Sequence, residues 1–205
     1  MKVWLLLFLI LQGFADTAKP PGIYPITPDI ADRMQRGGSW HKGCPVPLSK
    51  LRLLRIRYQD FNNTTRIGSL IVHKAVSKEV VRIFEALYTI GYPIERMQLV
   101  SDFDADDETS MRANNTSAFN CRYIAGTKKF SKHSYGKAID INPRLNPCVT
   151  KTSVAPANAH PYTDRKRRVP GMLHSDDPAV KIFKKAGWKW GGEWHSLKDY
   201  QHFEK

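Results

Sequence analysis

From Leu51 to Phe61 the chain alternates apolar and basic residues, with Leu51, Leu53, Ile56 and Tyr58 beside Arg52, Arg55 and Arg57. A period of two is the mark of a strand. Asn62-Asn63-Thr64-Thr65 is a turn cluster, and Arg66–His73 (RIGSLIVH) returns, so the pair predicts a β-hairpin. Between Lys74 and Gly91 the period lengthens: Val76, Val80, Phe84, Leu87 and Tyr88 recur at helical spacing, and the glycine closes an amphipathic helix. These apolar residues read as core. Ile94–Phe103 reads as a strand that runs into the acidic residues Asp102, Asp104, Asp106, Asp107 and Glu108, and the small, polar Ser110–Arg122 reads as an ordered loop. Lys137–Ile141 is a short strand stopped by Asn142-Pro-Arg-Leu-Asn-Pro147, and residues 148–175 form a long loop. Asp177–Gly187 predicts a second helix, with Ser175 or Asp177 as cap, Pro178 in its first turn, and Val180, Phe183 and Ala186 inward. The tail GWKWGGEWHSLKDYQHFE ends in a strand. The expected fold class is α+β: a small single domain with an antiparallel sheet and flanking helices.

The N-terminus changes the setting. Lys2 followed by the apolar Val3–Ala15, closing on Gly13-Phe14-Ala15, reads as a signal peptide over residues 1–15, with an uncleaved anchor as the other reading. No later segment is long and apolar enough to span a bilayer, so no stable membrane insertion is expected after cleavage. The protein is expected to be exported, periplasmic or secreted. Residues 16–42, rich in Pro and Gly, read as an extended N-terminal arm without much regular structure, ahead of a domain over 43–205.

A net charge of +13 would suit nucleic acid, but export and the lack of a recognition motif argue against it and favour an anionic extracellular polymer. The one dense run, Asp164-Arg-Lys-Arg-Arg168, reads as a solvated loop or as a patch for an anionic wall or membrane. Of three cysteines, Cys44, Cys121 and Cys148, none forms a CxxC pair, so a thiolate zinc site is poorly supported. Export permits one disulfide with one thiol left over. Cys121–Cys148 could flank the central motif, but spacing does not choose the pair.

That motif is Ser131–Asn142, SKHSYGKAIDIN. In a strand, Asp140 and Ala138 share one face while Ile139 and Ile141 share the other, so the isoleucines can pack inward as Asp140 faces a cleft. Gly136 lets the chain bend so that His133 swings back over the strand start. Near the C-terminus, Asp199-Tyr200-Gln201-His202 sets a carboxylate three residues before a histidine. In an unbroken strand these two would point opposite ways; in an irregular turn both could reach one site. His133, Asp140 and His202 would form an N,N,O set of the kind zinc takes in catalytic sites, with a fourth position left for water. An unligated Asp199 could then act as general acid/base. On spacing alone, a turn histidine and a capping aspartate is the reading that wins.

SKHSYGKAID resembles the S-x-H-x-x-G-x-A-x-D signature of the zinc peptidases of the D-alanyl-D-alanine carboxypeptidase family, and the terminal DYQH resembles that family's closing motif. CPVPLSKLRLLRIRYQDF, ANNTSAFNCR, AIDINPRLNPCV, PGM and GWKWGGEW resemble the branch that includes phage-type L-alanyl-D-glutamate endopeptidases, so the resemblance runs over about residues 43–205. It implies a small α+β zinc hydrolase of the hedgehog/D-Ala-D-Ala peptidase-like fold, acting on peptidoglycan stem peptides or crosslinks. Carried over, His133, Asp140 and His202 take the zinc positions and Asp199 the acid/base position, where some relatives have Glu. Ser131 falls where relatives place a substrate contact. The dipeptidase relatives carry an Arg just after the strand preceding the site; here that place reads VSDFDADD, and Arg112 or Arg122 stand as replacements near the developing oxyanion. That departure bears on the scissile bond more than on hydrolysis.

Trp188 and Trp190 read as core, while Trp194 reads equally as packing or as a wall of the substrate cleft. His41, His73, His160, His174 and His195 need no metal role. The competing functional reading is a non-catalytic, zinc-containing wall- or protein-binding domain of the same fold, against which the presence of both the ligands and Asp199 argues. Oligomeric state is not legible in the sequence.

Overall fold

The computed structural model describes residues 19–205, so the expected leader over 1–15 lies outside the described residues. The elements in order are β1 (Gly22–Pro25), α1 (Pro28–Arg36), β2 (Leu51–Gln59), β3 (Thr65–His73), α2 (Ser77–Thr89), β4 (Arg96–Met97), α3 (Asp107–Arg112), β5 (Asn115–Thr116), β6 (Ala138–Asp140), β7 (Cys148–Val149), β8 (Val154–Ala155), α4 (Pro178–Lys185), β9 (Lys189–Trp190), β10 (Lys198–Asp199) and β11 (His202–Glu204). The result is an α+β fold of small, mostly antiparallel sheets flanked by helices, ordered β1-β2-β3, β10-β7-β8 and β6-β11-β9, with β4 and β5 paired in parallel. Among the described residues no helix is long and apolar enough to cross a membrane.

The expected hairpin is present, with β2 and β3 in register from Leu51↔His73 to Gln59↔Thr65. Its alternation has a phase break that explains how it is packed. Leu51 and Leu53 face one core with Ile71, whereas Leu54 and Ile56 face another with Leu70 and Val72. A strand covered on both faces needs apolar residues on both, and LRLLRI supplies them. The first cover is α1, whose Ile30 and Met34 are buried. Within the expected arm over 16–42, the described residues 19–42 therefore are not extended: β1 adds to the sheet edge against β2, and α1 closes one face. Pro28 opens that helix at its first turn, where a missing N–H costs nothing. Sequence composition hid this because the Pro and Gly residues bracket the two short elements.

The second cover is α2, which buries Val80, Ile83, Phe84 and Leu87. Phe183 of α4 lies at the centre of this larger core, stacked on Phe203 at 3.9 Å and edge-on to Trp188 and Phe84. Trp188 and Trp190 are buried here as expected. Asp177 caps α4, accepting the Ala179 N–H at 2.9 Å.

Two segments differ from expectation. Ile94–Phe103 is a strand only at Arg96–Met97, and Val100–Phe103 is a 3-10 turn. Ser110–Arg122 is not all loop: α3 reaches Arg112, with Asp106 capping it by accepting the Thr109 N–H at 2.7 Å, and β5 follows. The polar residues that read as loop are buried hydrogen-bonding groups, Asn114, Asn115 and Thr116 among them.

The cysteine pairing, which spacing left open, is not Cys121–Cys148. The disulfide joins Cys44 to Cys121, and Cys148 is free. Cys121 faces the core under α1, where Cys44 also packs, while Cys148 on β7 sits opposite Asp199 of β10. Burial and the neighbouring Asp199 and Asp140 carboxylates push the Cys148 thiol up to about 12, so it stays protonated.

The C-terminus is tied to α2 through Glu79. Its Oε1 accepts Trp188 Nε1–H at 2.8 Å, and Lys205 Nζ donates to both carboxylate oxygens at 2.8 Å. Burial pushes the Glu79 carboxyl up, but the bonds from Lys205 and Trp188 outweigh it and hold the carboxyl below the usual glutamate range. A depressed folded-state pKa stabilises above the unfolded value and loses that stabilisation as pH falls through the folded one. Glu79→Gln is therefore expected to lower the melting temperature at pH 7, with the gap from wild type closing as pH falls below about 4.5, the unperturbed glutamate value. A gap that is constant with pH in thermal melts would refute this role.

Candidate metal centre

The 3-10 turn Lys132–Tyr135 precedes β6 and carries His133. Gly136 ends it at φ 62°, and a Cβ there would stand 2.5 Å from the His73 backbone nitrogen. Only glycine fits this left-handed position against the end of β3, and the His73 N–H donates to the Gly136 carbonyl at 2.9 Å. The turn thereby brings His133 back over β6, as the motif implied. Ile139 and Ile141 enter the core while Asp140, on the other face, meets His133.

β11 lies antiparallel to β6 with His202 directly opposite Asp140. The sequence left open whether Asp199 and His202 could share a site; the strand breaks between them. Asp199 ends β10, Tyr200-Gln201 turn, and His202 begins β11. Trp190 Nε1 donates to the Tyr200 carbonyl at 2.8 Å, Ile141 N donates to the Gln201 carbonyl at 3.0 Å, and the Arg165 guanidinium lies over the Tyr200 ring at 4.2 Å. Gly191 lies against the same turn, where a Cβ would meet the Asp199 carbonyl at 2.6 Å and the His202 Cβ at 3.3 Å. Arg165 thus belongs to the fold rather than to a solvated loop, while Lys166, Arg167 and Arg168 are exposed.

His133, Asp140 and His202 offer ligand atoms that all lie within 4.8 Å of one another, all three residues buried. His133 Nε2 is 3.2 Å from Asp140 Oδ2 and 3.2 Å from His202 Nδ1, and His202 Nδ1 is 3.0 Å from Asp140 Oδ1. Bonds of about 2.0–2.1 Å to a tetrahedral zinc would set ligand atoms roughly 3.3 Å apart. Both ring nitrogens face the Asp140 carboxylate, so each can turn a lone pair to a shared cation. The donor set and its spacing therefore fit zinc. Burial raises the Asp140 carboxyl, but the charge of His133 and bonds from both histidines overcome this and hold it far below the usual carboxylate range. Burial lowers His202, yet Asp140 and Glu204 raise it to about 10.

Two groups orient the rings, and neither was read from the sequence. His133 Nδ1 lies 2.5 Å from the Ala118 carbonyl, an oxygen that can only accept, so Nδ1 carries the proton and Nε2 faces the cluster. Glu204 Oε2 lies 3.4 Å from His202 Nε2, which turns Nδ1 inward. The alternation of H-F-E places Glu204 on His202's face, a signal that could have found it. The segment after β5 does further work: Ser117 exchanges both backbone hydrogen bonds with Asp140, at 3.0 and 2.9 Å. Removing the acceptor in Glu204→Ala is expected to weaken metal affinity about 10–100-fold, and Glu204→Gln, which keeps an acceptor oxygen, by less. Competition against a chromogenic chelator measures both; equal affinities in all three proteins would show that strand packing alone sets the ring.

Asp199 is partly exposed as a residue, but its Oδ1 is buried and has no hydrogen-bond partner. Burial pushes its carboxyl up to about 6, with His202 opposing and Asp140 adding to the rise. A buried acceptor without a donor is the state expected of a group that meets water or substrate when the site works. Trp194 lies beside the centre, its ring 5.3 Å from that of His202. Ser131 is buried, and its Oγ accepts the His133 N–H at 3.3 Å, so the structure gives this expected substrate contact the role of a cap. Arg112 and Arg122 reach carboxylates of α3: Arg112 lies 3.9 Å from Glu108, and Arg122 pairs with Asp107. Arg122 is also joined to the His133 turn, its N–H donating to Ser134 Oγ at 2.9 Å, whereas the Arg112 carbonyl accepts from Asn158. Of the two, Arg122 is the one attached to the metal-centre turn.

Residues 125–205 match the family model described as D-alanyl-D-alanine carboxypeptidase. This is the family that the two motifs resemble, and the matched segment contains His133, Asp140, Asp199 and His202. Residues 43–124 lie ahead of the match, and no solved structure matches the chain.

Proposed function

We propose that the protein is an exported zinc metallopeptidase that hydrolyses peptide bonds in peptidoglycan stem peptides or crosslinks. The convergence of His133, Asp140 and His202 at tetrahedral-edge spacing carries this reading. These three residues would hold zinc, which when bound makes water a nucleophile near neutral pH and polarises the scissile carbonyl. Asp199, with its carboxyl raised to about 6, takes the proton of the attacking water and returns it to the departing amine. Ala118 and Glu204 keep the two rings turned inward, and Trp194 excludes water on the His202 side. Arg122, whose backbone is fastened to the His133 turn and whose guanidinium pairs with Asp107, is the candidate to stabilise a developing oxyanion. A surplus of cations suits an anionic wall.

The test is digestion of purified peptidoglycan, with the products identified by mass spectrometry. Loss of terminal D-alanine would assign a carboxypeptidase, and release of intact stem fragments an endopeptidase. Bound zinc without any new product would overturn the enzyme reading in favour of a non-catalytic wall-binding domain.

A further inference from the structure

The segment between Cys121 and the His133 turn forms a small hairpin that the chemistry above does not use. Tyr123 and Phe130 pair across an antiparallel bridge, their rings stacked at 4.4 Å. Its tip is closed from within: Ile124 N donates to the Lys129 carbonyl at 2.8 Å, and Thr127 N and Oγ1 both donate to the Ile124 carbonyl at 3.0 Å. Its root is fastened to the metal-centre turn, with Ser131 N and Ser134 Oγ donating to the Arg122 carbonyl at 3.0 and 2.7 Å. The geometry of this projection is therefore fixed relative to His133.

Its surface combines exposed apolar side chains with cations. Residues 123 to 129 are all exposed, Tyr123 at 52% and Ile124 at 47%. From Arg122 to Lys137 the chain carries Arg122, Lys128, Lys129, Lys132 and Lys137 and not one Asp or Glu. Here an aromatic ring backed by a second ring stands open to water among lysines. A flat apolar face with polar surroundings suits a sugar ring, whose C–H face is apolar and whose edge is hydroxylated. The lysines suit carboxylates. Tyr123 and Ile124, with Tyr135 on the adjoining turn, are the exposed large apolar residues of this stretch, too few for insertion into a bilayer.

We infer that this hairpin is a docking platform for the glycan strand of peptidoglycan, with Tyr123 stacking on a sugar ring and Lys128 and Lys129 meeting the carboxylates of neighbouring stem peptides. The inference rests on the proposed function and adds to it that the enzyme reads the polymer as well as the peptide it cuts. The platform is pre-organised, so little ordering cost attends binding.

The test compares Tyr123→Ala and the doubly substituted Lys128→Glu/Lys129→Glu protein with wild type on two substrates: intact peptidoglycan, and the same stem peptides freed of glycan by an amidase. On intact polymer both variants are expected to show KM raised roughly tenfold, the scale of one lost stacking contact, and on free peptides to match wild type. Equal loss on both substrates, or no loss on either, would overturn the platform. The exposed lysine pair guards against a folding artefact in Tyr123→Ala. Co-sedimentation of each protein with intact peptidoglycan needs no turnover. If wild type cuts neither substrate, the enzyme reading fails, but weaker co-sedimentation of both variants still supports the platform and equal co-sedimentation refutes it.

Discussion

Asp199→Ala is expected to lower peptidoglycan hydrolysis by about 10²–10⁴-fold, the usual contribution of a positioned general acid/base, while zinc stays bound. The separation of the two effects follows from where Asp199 sits. It ends β10, on a different sheet from Asp140 and His202, and takes no part in their hydrogen bonds. Its buried Oδ1 lacks a partner, and the side chains that the carboxylate bonds, Gln201 and Cys148, lie outside the ligand set. Asp199→Asn keeps the shape and removes the base, and should be as inactive as the alanine variant. Zinc content and turnover measured on the same preparation decide the matter. Wild-type turnover in either variant would remove Asp199 from the chemistry, and loss of zinc in both would make it a ligand.

His133→Ala is expected to weaken zinc binding by about 10²–10³-fold. Zinc sites bind with about 10–16 kcal/mol, so one position in four is worth about 2.5–4 kcal/mol. The substitution also frees the Ala118 carbonyl and leaves Asp140 with one histidine in place of two. His195→Ala is the control: that residue is exposed, and its loss should leave affinity unchanged. Equal zinc affinity in His133→Ala and wild type would exclude the proposed ligand set.

The parts of the fold legible in the sequence are those where one periodicity governs a long run. The β2–β3 hairpin, α2 and α4 announced themselves this way. The arrangement around the first motif was partly legible for a different reason: a glycine that permits a sharp bend, followed by period-two alternation, allowed Asp140 and the isoleucines to face opposite ways. What the sequence hid depends on contacts distant along the chain. Cys44 lies 77 residues from Cys121, and no local pattern favours that pair over Cys148. The backbone carbonyl of Ala118 has no side-chain signature at all. Arg165 sits within a run of cations that composition reads as solvated, yet its guanidinium donates to the Leu145 and Leu173 carbonyls and packs on Tyr200. The short strands at β4, β5, β7 and β10 are two residues each, below the length at which periodicity carries information.

The most direct measurement is hydrolysis of purified peptidoglycan by protein stripped of metal with a chelator, dialysed, and then titrated with zinc. The account predicts no products from the stripped protein and activity that rises with zinc to saturate at one ion per chain. Full activity in the stripped protein, or none at one bound zinc per chain, would contradict it.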